Sequence, residues 1–338
     1  MKAVGYTKCL PIDDVEALID FSIDQPSPRA RDLLVRIEAV SVNPVDYKIR
    51  QKQPPPADAP GVLGWDGVGE VVETGAKARL FAPGDRVWFA GAIDRPGSNA
   101  EFTCVDERLA GRAPAGLAAA DAAALPLTAL TAHEMLFDRL DVARAVPGGA
   151  EAILIIGGSG GVGSIAIQLA RALTGLQVIA TASRPQTRDW VLAMGAHHVV
   201  DHSAPLAAGV AALGIGAPSF VFSTTQSATH AAAAAEILAP QGRYGLIDDP
   251  QGFDLKAFKA KSASVHWELM FTRSRFATPD MSRQGEILNE LAALVEGGRI
   301  RSTAAEHFGA ITAANLRRAH TRLESGTAMG KIVLSGFD

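Results

Sequence analysis

The stretch ILIIGGSGGVG, Ile153 to Gly163, decides the fold. Apolar residues run straight into a glycine-rich turn, and the amphipathic sequence VGSIAIQLA follows from Val162. Gly158, Gly160 and Gly163 match G-x-G-x-x-G in the strand–turn–helix setting that gives the pattern meaning. Gly158 permits the tight turn, Gly160 lets the backbone approach a pyrophosphate, and Gly163 lets helix and strand pack closely. Ser159, Gly161 and Val162 complete the loop. The open N–H groups of the first helical turn, with the helix dipole, then face two phosphates. Any glycine-rich turn can imitate the motif alone. Strand, glycines, helix and a second strand in order point to dinucleotide binding.

The second strand, Gln177-Val-Ile-Ala-Thr-Ala, ends near Ser183 and Arg184. A site for NAD usually carries an acid at this strand end, where it holds the ribose 2′-hydroxyl. Here Ser183, Arg184 and then Arg188 precede the first acid, Asp189. A carboxylate repels a 2′-phosphate, whereas a hydroxyl and a guanidinium bind it. The expected cofactor is NADPH. The alternative for Arg184 is a solvated residue at a helix start, just before Pro185.

Length and charge narrow the class. The 338 residues suffice for two domains, each with its own core. A net charge of −4 gives no reason to expect nucleic acid or an anionic membrane as partner. Cys9 and Cys104 form no disulfide framework or zinc knuckle, and their apolar surroundings predict buried structural thiols. The opening MKAVGYTKCL lacks the apolar core of a signal peptide, and no run is long enough to span a bilayer. A cytoplasmic protein is expected.

The N-terminal third reads as all-β, with short strands at Asp32–Val40, Gly69–Thr74, Asp85–Ala90 and Ala100–Val105 between Pro-Gly turns. From 118 to 140 the pattern turns helical, with Leu127, Leu130, Leu136 and Leu140 at helical spacing. Strand and helix then alternate. Strands are predicted at 152–156, 176–182, 197–200, 219–222 and 243–247, with helices at 161–173, 187–194 and 228–238. This pattern implies a parallel sheet covered on both faces. The remainder breaks the alternation: a helix over 281–296, a polar strand, a helix over 313–324 and the strand Lys331-Ile-Val-Leu.

A β-rich region, an inserted dinucleotide fold and a return to the first region resembles the medium-chain dehydrogenase/reductase superfamily. The stretches SVNPVDYKIR from Ser41, GWDGVGEVV from Gly64, LPLTALTA from Leu125 and GKIVL from Gly330 resemble landmarks of its zinc-free quinone oxidoreductase branch. TASRP from Thr181 and HWELMFTR from His266 resemble the subgroup of zinc-type alcohol dehydrogenase-like proteins. The resemblance spans essentially the whole chain. It implies an α/β protein with a Rossmann doubly wound parallel sheet over 126–265. A GroES-like catalytic domain would occupy 1–125 and return over 266–338. A homodimer joined through the edges of the two dinucleotide sheets is also implied.

The resemblance does not bring a metal with it. Catalytic zinc in zinc alcohol dehydrogenases is held by Cys, His and Cys. The matching positions here are Asn43, Trp65 and Leu127. Indole and isobutyl groups do not coordinate zinc, and an amide oxygen is a poor ligand for it. The four-cysteine structural loop is absent, and the eight histidines show no metal spacing. Without a Lewis acid, the acceptor must already be electrophilic. A quinone or an enone qualifies, since hydride addition gives a delocalised anion and solvent can supply the proton. NADPH-dependent quinone reduction is the expected activity, alkenal or enone double-bond reduction the alternative, and an NADPH-binding protein without turnover the reading from another class.

The resemblance puts the Asn43 amide near the nicotinamide, able to donate to a substrate carbonyl, against a plain Asn-Pro turn. Tyr47 is a second donor candidate, although related reductases carry their Tyr one position later. Asp46 is expected to orient the loop. Trp65 is an aromatic wall for a flat acceptor or core packing. Thr131 matches a position near the nicotinamide end. Ser223 and Thr224 end a parallel strand, where ligands bind in open α/β sheets. His202 stands where related enzymes carry a Tyr against the 2′-phosphate. Phe271 and Arg273 are candidates for the substrate side.

Overall fold

The computed structural model describes residues 1–337. Two compact units emerge: Met1–Leu130 together with the chain from Phe271 onward, and Thr131–Met270. These divisions fall a few residues beyond the expected 125 and 265. The later one has a clear cause. Strand Ser264–Trp267 pairs in parallel with Arg243–Leu246 and so completes the sheet of the second unit.

That sheet has six strands in the spatial order His198–Val200, Gln177–Thr181, Ala150–Ile156, Pro218–Ser223, Arg243–Leu246, Ser264–Trp267. All pairs are parallel. Numbered by sequence within the sheet, the order is 3-2-1-4-5-6 of the Rossmann fold. The core packs Leu154, Ile179, Val221, Leu238, Tyr244 and Phe258, all buried. The helices are Gly161–Leu173, Pro185–Ala193, Leu206–Ala211 and Ser227–Ile237. The short Leu206–Ala211 helix and the Ser264–Trp267 strand escaped the periodicity, each being too brief to show one.

The first unit carries a seven-stranded sheet. Ala304–His307, Lys331–Ser335, Asp32–Val42, Gly67–Thr74, Arg86–Phe89 and Ala110–Arg112 lie side by side, and Phe102–Asp106 also pairs Asp32–Val42. A three-stranded sheet joins Ile19–Ser22, Lys2–Tyr6 and Gly61–Val62. Strand Lys331–Ser335 runs antiparallel to the end of Asp32–Val42, with Ile332 opposite Val42. The register brings the last strand beside Asn43.

The all-β reading of the N-terminal third needs one correction. A helix spans Pro44–Lys52. Its signals are local: Asn43 at the N-cap, Pro44 in the first position and Asp46 at the third, with Asp46 Oδ2 accepting from the Asn43 N–H at 2.6 Å. The single helical run around 118–140 also breaks. Ala119–Ala123 and Pro126–His133 are separate helices, since Pro126 supplies no N–H to continue the first. A single π-helical turn follows at Glu134–Arg139. The four leucines that suggested a helix are all buried.

Cys9 is exposed, contrary to expectation, because strand Lys2–Tyr6 ends before it. Cys104 sits partly buried on Phe102–Asp106, and burial pushes its thiol up to about 11. Among the described residues no helix is long and apolar enough to cross a membrane.

Candidate active site

In the second unit, the glycine turn sits at the carboxyl ends of Ala150–Ile156 and Pro218–Ser223. Strand order reverses there, and open α/β sheets bind ligands at such a switch point. Gly157 has φ +80°, and a Cβ on it would meet Thr224 Oγ1 at 2.4 Å. The Thr224 hydroxyl donates to the Ile156 carbonyl at 2.9 Å, tying the two strand ends together. From the other side, the Gly157 N–H donates to Thr181 Oγ1 at 3.0 Å. Gly163 packs against the turn so closely that a Cβ would lie 2.3 Å from the Gly157 oxygen.

Gly160 differs from these. A Cβ there would approach nothing of the chain closer than the Gly157 oxygen at 3.6 Å, an ordinary contact. The fold itself therefore does not demand glycine at 160, which leaves the space above it open. Gly160 caps the helix Gly161–Leu173, and Ser164 N–H is bonded to the Gly160 carbonyl at 2.9 Å. The N–H groups of Gly161, Val162 and Gly163 precede it in the first turn and have no acceptor within the helix. Aligned donors beside an unfilled glycine position fit a pyrophosphate. Ser159 lies in the same turn, between Gly158 and Gly160.

The residues expected to face a 2′-phosphate lie at the ends of the neighbouring strands. Thr181 is level with Val200, so Ser183–Arg184 and Asp201–His202 leave the sheet at the same edge. Arg184 is exposed at the N-cap of Pro185–Ala193, while Ser183 and Arg188 are partly buried. His202 Nδ1 is buried without a hydrogen-bond partner among the described residues, and its ring lies 6.2 Å from that of His230. Burial, then the charge of His202, lowers the pKa of His230. Ser223 is buried and accepts from Ser227 Oγ at 2.9 Å, and Ser227 N–H donates to Asp248 at 3.0 Å. Thr131 is buried on the helix Pro126–His133.

The first unit holds a closed polar centre. Asp66 is fully buried. Its Oδ2 accepts from Ser41 Oγ at 2.8 Å, Asn43 Nδ2 at 2.7 Å and Lys331 Nζ at 3.1 Å. Its Oδ1 accepts from the Leu127 backbone N–H at 2.8 Å, at the start of a helix where negative charge is favoured. Lys331 is 3 % exposed and also donates to the Val42 carbonyl at 2.9 Å and to Asn43 Oδ1 at 2.5 Å. Asn43 is 1 % exposed, and the far hydrogen of its amide points to the Ser41 carbonyl at 3.5 Å. A substrate carbonyl would have to compete with Asp66 for this amide. Asp46 is buried too, and burial pushes its carboxyl up to about 7, against the bond from the Asn43 N–H and the charge of Lys331.

Tyr47 is partly buried on the helix Pro44–Lys52. Trp65 is buried, donates from its indole to the Ala92 carbonyl at 3.0 Å, and meets Phe271 edge-on at 6.3 Å. Arg273 is buried against Asp280 at 3.0 Å. Asn43, Trp65 and Leu127 thus supply an amide held inside, an indole and an alkyl chain, which do not fit zinc. Among the described residues no group of three or more His, Cys, Asp and Glu side chains is placed to hold a metal ion.

Sequence reading missed Thr181, Ser41, Asp66 and Lys331 as site residues. Asp66 and Lys331 left a signal: each is a charge inside an otherwise apolar stretch, and a buried charge requires a partner. Which partner each finds is not a local property.

The chain matches two protein families: alcohol dehydrogenase GroES-like domain over residues 29–127 and zinc-binding dehydrogenase over 194–334. It is 36 % identical over 337 residues to a zinc-type alcohol dehydrogenase-like protein of Staphylococcus aureus strain MSSA476, covering 99 % of this chain and all of that one. A solved structure from Rhizobium etli CFN 42, assigned to the zinc-dependent alcohol dehydrogenases, is 58 % identical, with TM-score 0.99 over all of this chain and 98 % of that chain. The quinone oxidoreductase of Coxiella burnetii is 26 % identical, with TM-score 0.79 over 99 % of each chain.

Proposed function

The chain belongs to the medium-chain dehydrogenase/reductase superfamily, within its zinc-type alcohol dehydrogenase-like members, and from that premise we propose that it is a zinc-independent NADPH:quinone reductase of the cytoplasm. Nicotinamide-dependent oxidoreduction is the activity class that membership carries. The observation that carries the finer reading is the donor set: a cradle for a dinucleotide with a basic strand end, in a chain whose zinc-ligand positions hold Asn43, Trp65 and Leu127.

Bound NADPH supplies a hydride. The chain's own residues hold it in place. Gly158, Ser159, Gly160, Gly161, Val162 and Gly163 seat the pyrophosphate on the helix terminus, with Thr181 and Thr224 fixing the turn. Ser183, Arg184, Arg188 and His202 take the 2′-phosphate through charge-assisted bonds, and the orphaned His202 Nδ1 is suited to such an acceptor. Thr131, Ser223 and Thr224 serve the rest of the cofactor. On the acceptor side we assign Asn43, Tyr47 and Trp65. A quinone accepts hydride as a delocalised anion, so fixed dipoles and proximity suffice, and water supplies the proton. The name of the Coxiella relative favours quinones.

A homodimer is part of the same proposal. Strand Ser264–Trp267 forms one edge of the six-stranded sheet, with Trp267 half exposed and Leu255 and Leu269 exposed nearby in sequence. An edge strand that exposes a tryptophan is what a second copy would cover. Trp267→Lys should give monomers in sedimentation; an unchanged mass rules this edge out.

The deciding experiment is anaerobic NADPH oxidation with quinones and enones, with and without a zinc chelator. Chelator-insensitive turnover on quinones is the expected result. Preference for enones transfers the assignment to double-bond reduction. NADPH binding without turnover on any acceptor overturns the enzyme reading.

A further inference from the structure

We infer that Lys331 is a positioning residue of the acceptor side, a built-in cation that fixes which way the Asn43 amide faces. The inference rests on Asn43 acting in the reductase proposed above.

An ammonium has three N–H donors and no acceptor. Lys331 spends all three on oxygen: the Val42 carbonyl, Asn43 Oδ1 and Asp66 Oδ2. Asp66, an acceptor alone when ionised, takes Asn43 Nδ2 on the same oxygen. The two ends of an amide are nearly alike in shape, so their orientation is set by neighbours. Here the neighbours leave one solution. An ammonium tolerates only the amide oxygen, and a carboxylate only the amide nitrogen. Turning the amide would set N–H against N–H and oxygen against oxygen in a buried site.

The same pair reaches the other two positions that match zinc ligands. Asp66 follows Trp65 directly, and its second oxygen holds the Leu127 N–H. One lysine–aspartate pair thus holds the Asn43 amide and the Leu127 backbone, with Trp65 next to Asp66 in the chain. A buried unit positive charge already neutralises Asp66, so a divalent ion is opposed by electrostatics as well as by the absence of ligands. The charge comes from the final strand, 288 residues from Asn43.

The test is a double-mutant cycle with Lys331→Met and Asn43→Ala, read in kcat, in KM for the best acceptor and in NADPH affinity. Lys331→Met should lower kcat at least tenfold and leave the NADPH dissociation constant within twofold. The double variant should be no slower than the worse single one, because both remove the same oriented amide. Lys331→Arg, which keeps charge and donors, should recover part of kcat. Multiplicative losses, or wild-type kcat in Lys331→Met, overturn the inference. If Lys331→Met does not fold, the uncharged pair Asp66→Asn/Lys331→Met replaces it, and wild-type kcat there is equally fatal. If the wild-type protein reduces no acceptor, the reductase reading falls separately. The cycle is then read in denaturant midpoints, where coupling between positions 43 and 331 supports the fixed amide and additivity refutes it.

Discussion

The glycine turn of one unit and the Asp66 centre of the other are polar sites built on opposite plans. The turn gathers its backbone donors from Gly157 to Gly163 and leaves those of the first helical turn open. The Asp66 centre draws on Ser41, Asn43, Leu127 and Lys331 and closes nearly every donor and acceptor upon itself. The contrast teaches that a site awaiting a ligand is incomplete by construction, whereas one that presets geometry is saturated. Open donors at Gly161 and Val162 cost less because these residues are only partly buried. Open groups around Asp66 would be stranded in a dry interior.

Substitution at Gly163 breaks the first plan hardest. Gly163→Ala sets a Cβ against backbone at 2.3 Å, and should weaken NADPH binding by about 100-fold while costing about 1–3 kcal/mol of stability. Gly160→Ala sharpens the contrast: stability should stay within about 0.5 kcal/mol while affinity falls about tenfold. Fluorescence titration and denaturant unfolding read both quantities. Equal behaviour of the two variants would mean that Gly160 has no external duty.

The closed plan should fail through stability. Asp66→Ala leaves the buried Lys331 ammonium without its contacting carboxylate, at a cost of about 3–5 kcal/mol in urea unfolding. A loss below about 1 kcal/mol would show that water enters the centre and that it is not saturated.

A third polar cluster lies between these plans. Glu268, from the HWELMFTR stretch, is buried beside Glu134 and pairs with Arg139 at 2.7 Å. Burial first, then the charge of Glu134 and a bond with it, raise the Glu268 carboxyl to about 8, while Arg139 pulls it down. The folded state then holds a proton that the unfolded chain has released above about 4.5, so this group's contribution to stability falls as pH rises from there to about 8. The slope is at most about 1.4 kcal/mol per pH unit. Glu268→Gln, a neutral mimic, should flatten the profile, and an unaltered slope would locate the proton elsewhere.

The smallest effect concerns the rim of the open site. Arg184→Ala should weaken NADPH about tenfold and change NADH less than twofold, since only the 2′-phosphate distinguishes them. Equal losses for both cofactors would remove Arg184 from the phosphate.

Periodicity and one motif made the dinucleotide unit legible. The alternation of apolar strands and helices from Ala152 onward, and glycines at 158, 160 and 163, act over neighbouring residues, so each local preference agrees with the fold. Pro44 and Asn43 also announced their helix, through capping chemistry the all-β reading passed over. The Ser264–Trp267 strand was too short for a period to show. Asp66 and Lys331 stood in view as charges in apolar stretches.

What the sequence determined by itself is therefore the Rossmann turn, the class of ligand it fits, and the lack of zinc ligands at Asn43, Trp65 and Leu127. Each depends on residue type or on contacts within a few positions. Tertiary structure alone decided that Lys331 closes on Asn43 and Asp66, and that both ends of the Asn43 amide are already engaged. That pairing exists because the last strand returns antiparallel to Asp32–Val42, with Ile332 opposite Val42. The apolar pattern of each strand limits its register, but which strand it meets across so long a separation is decided by the packing of the whole sheet.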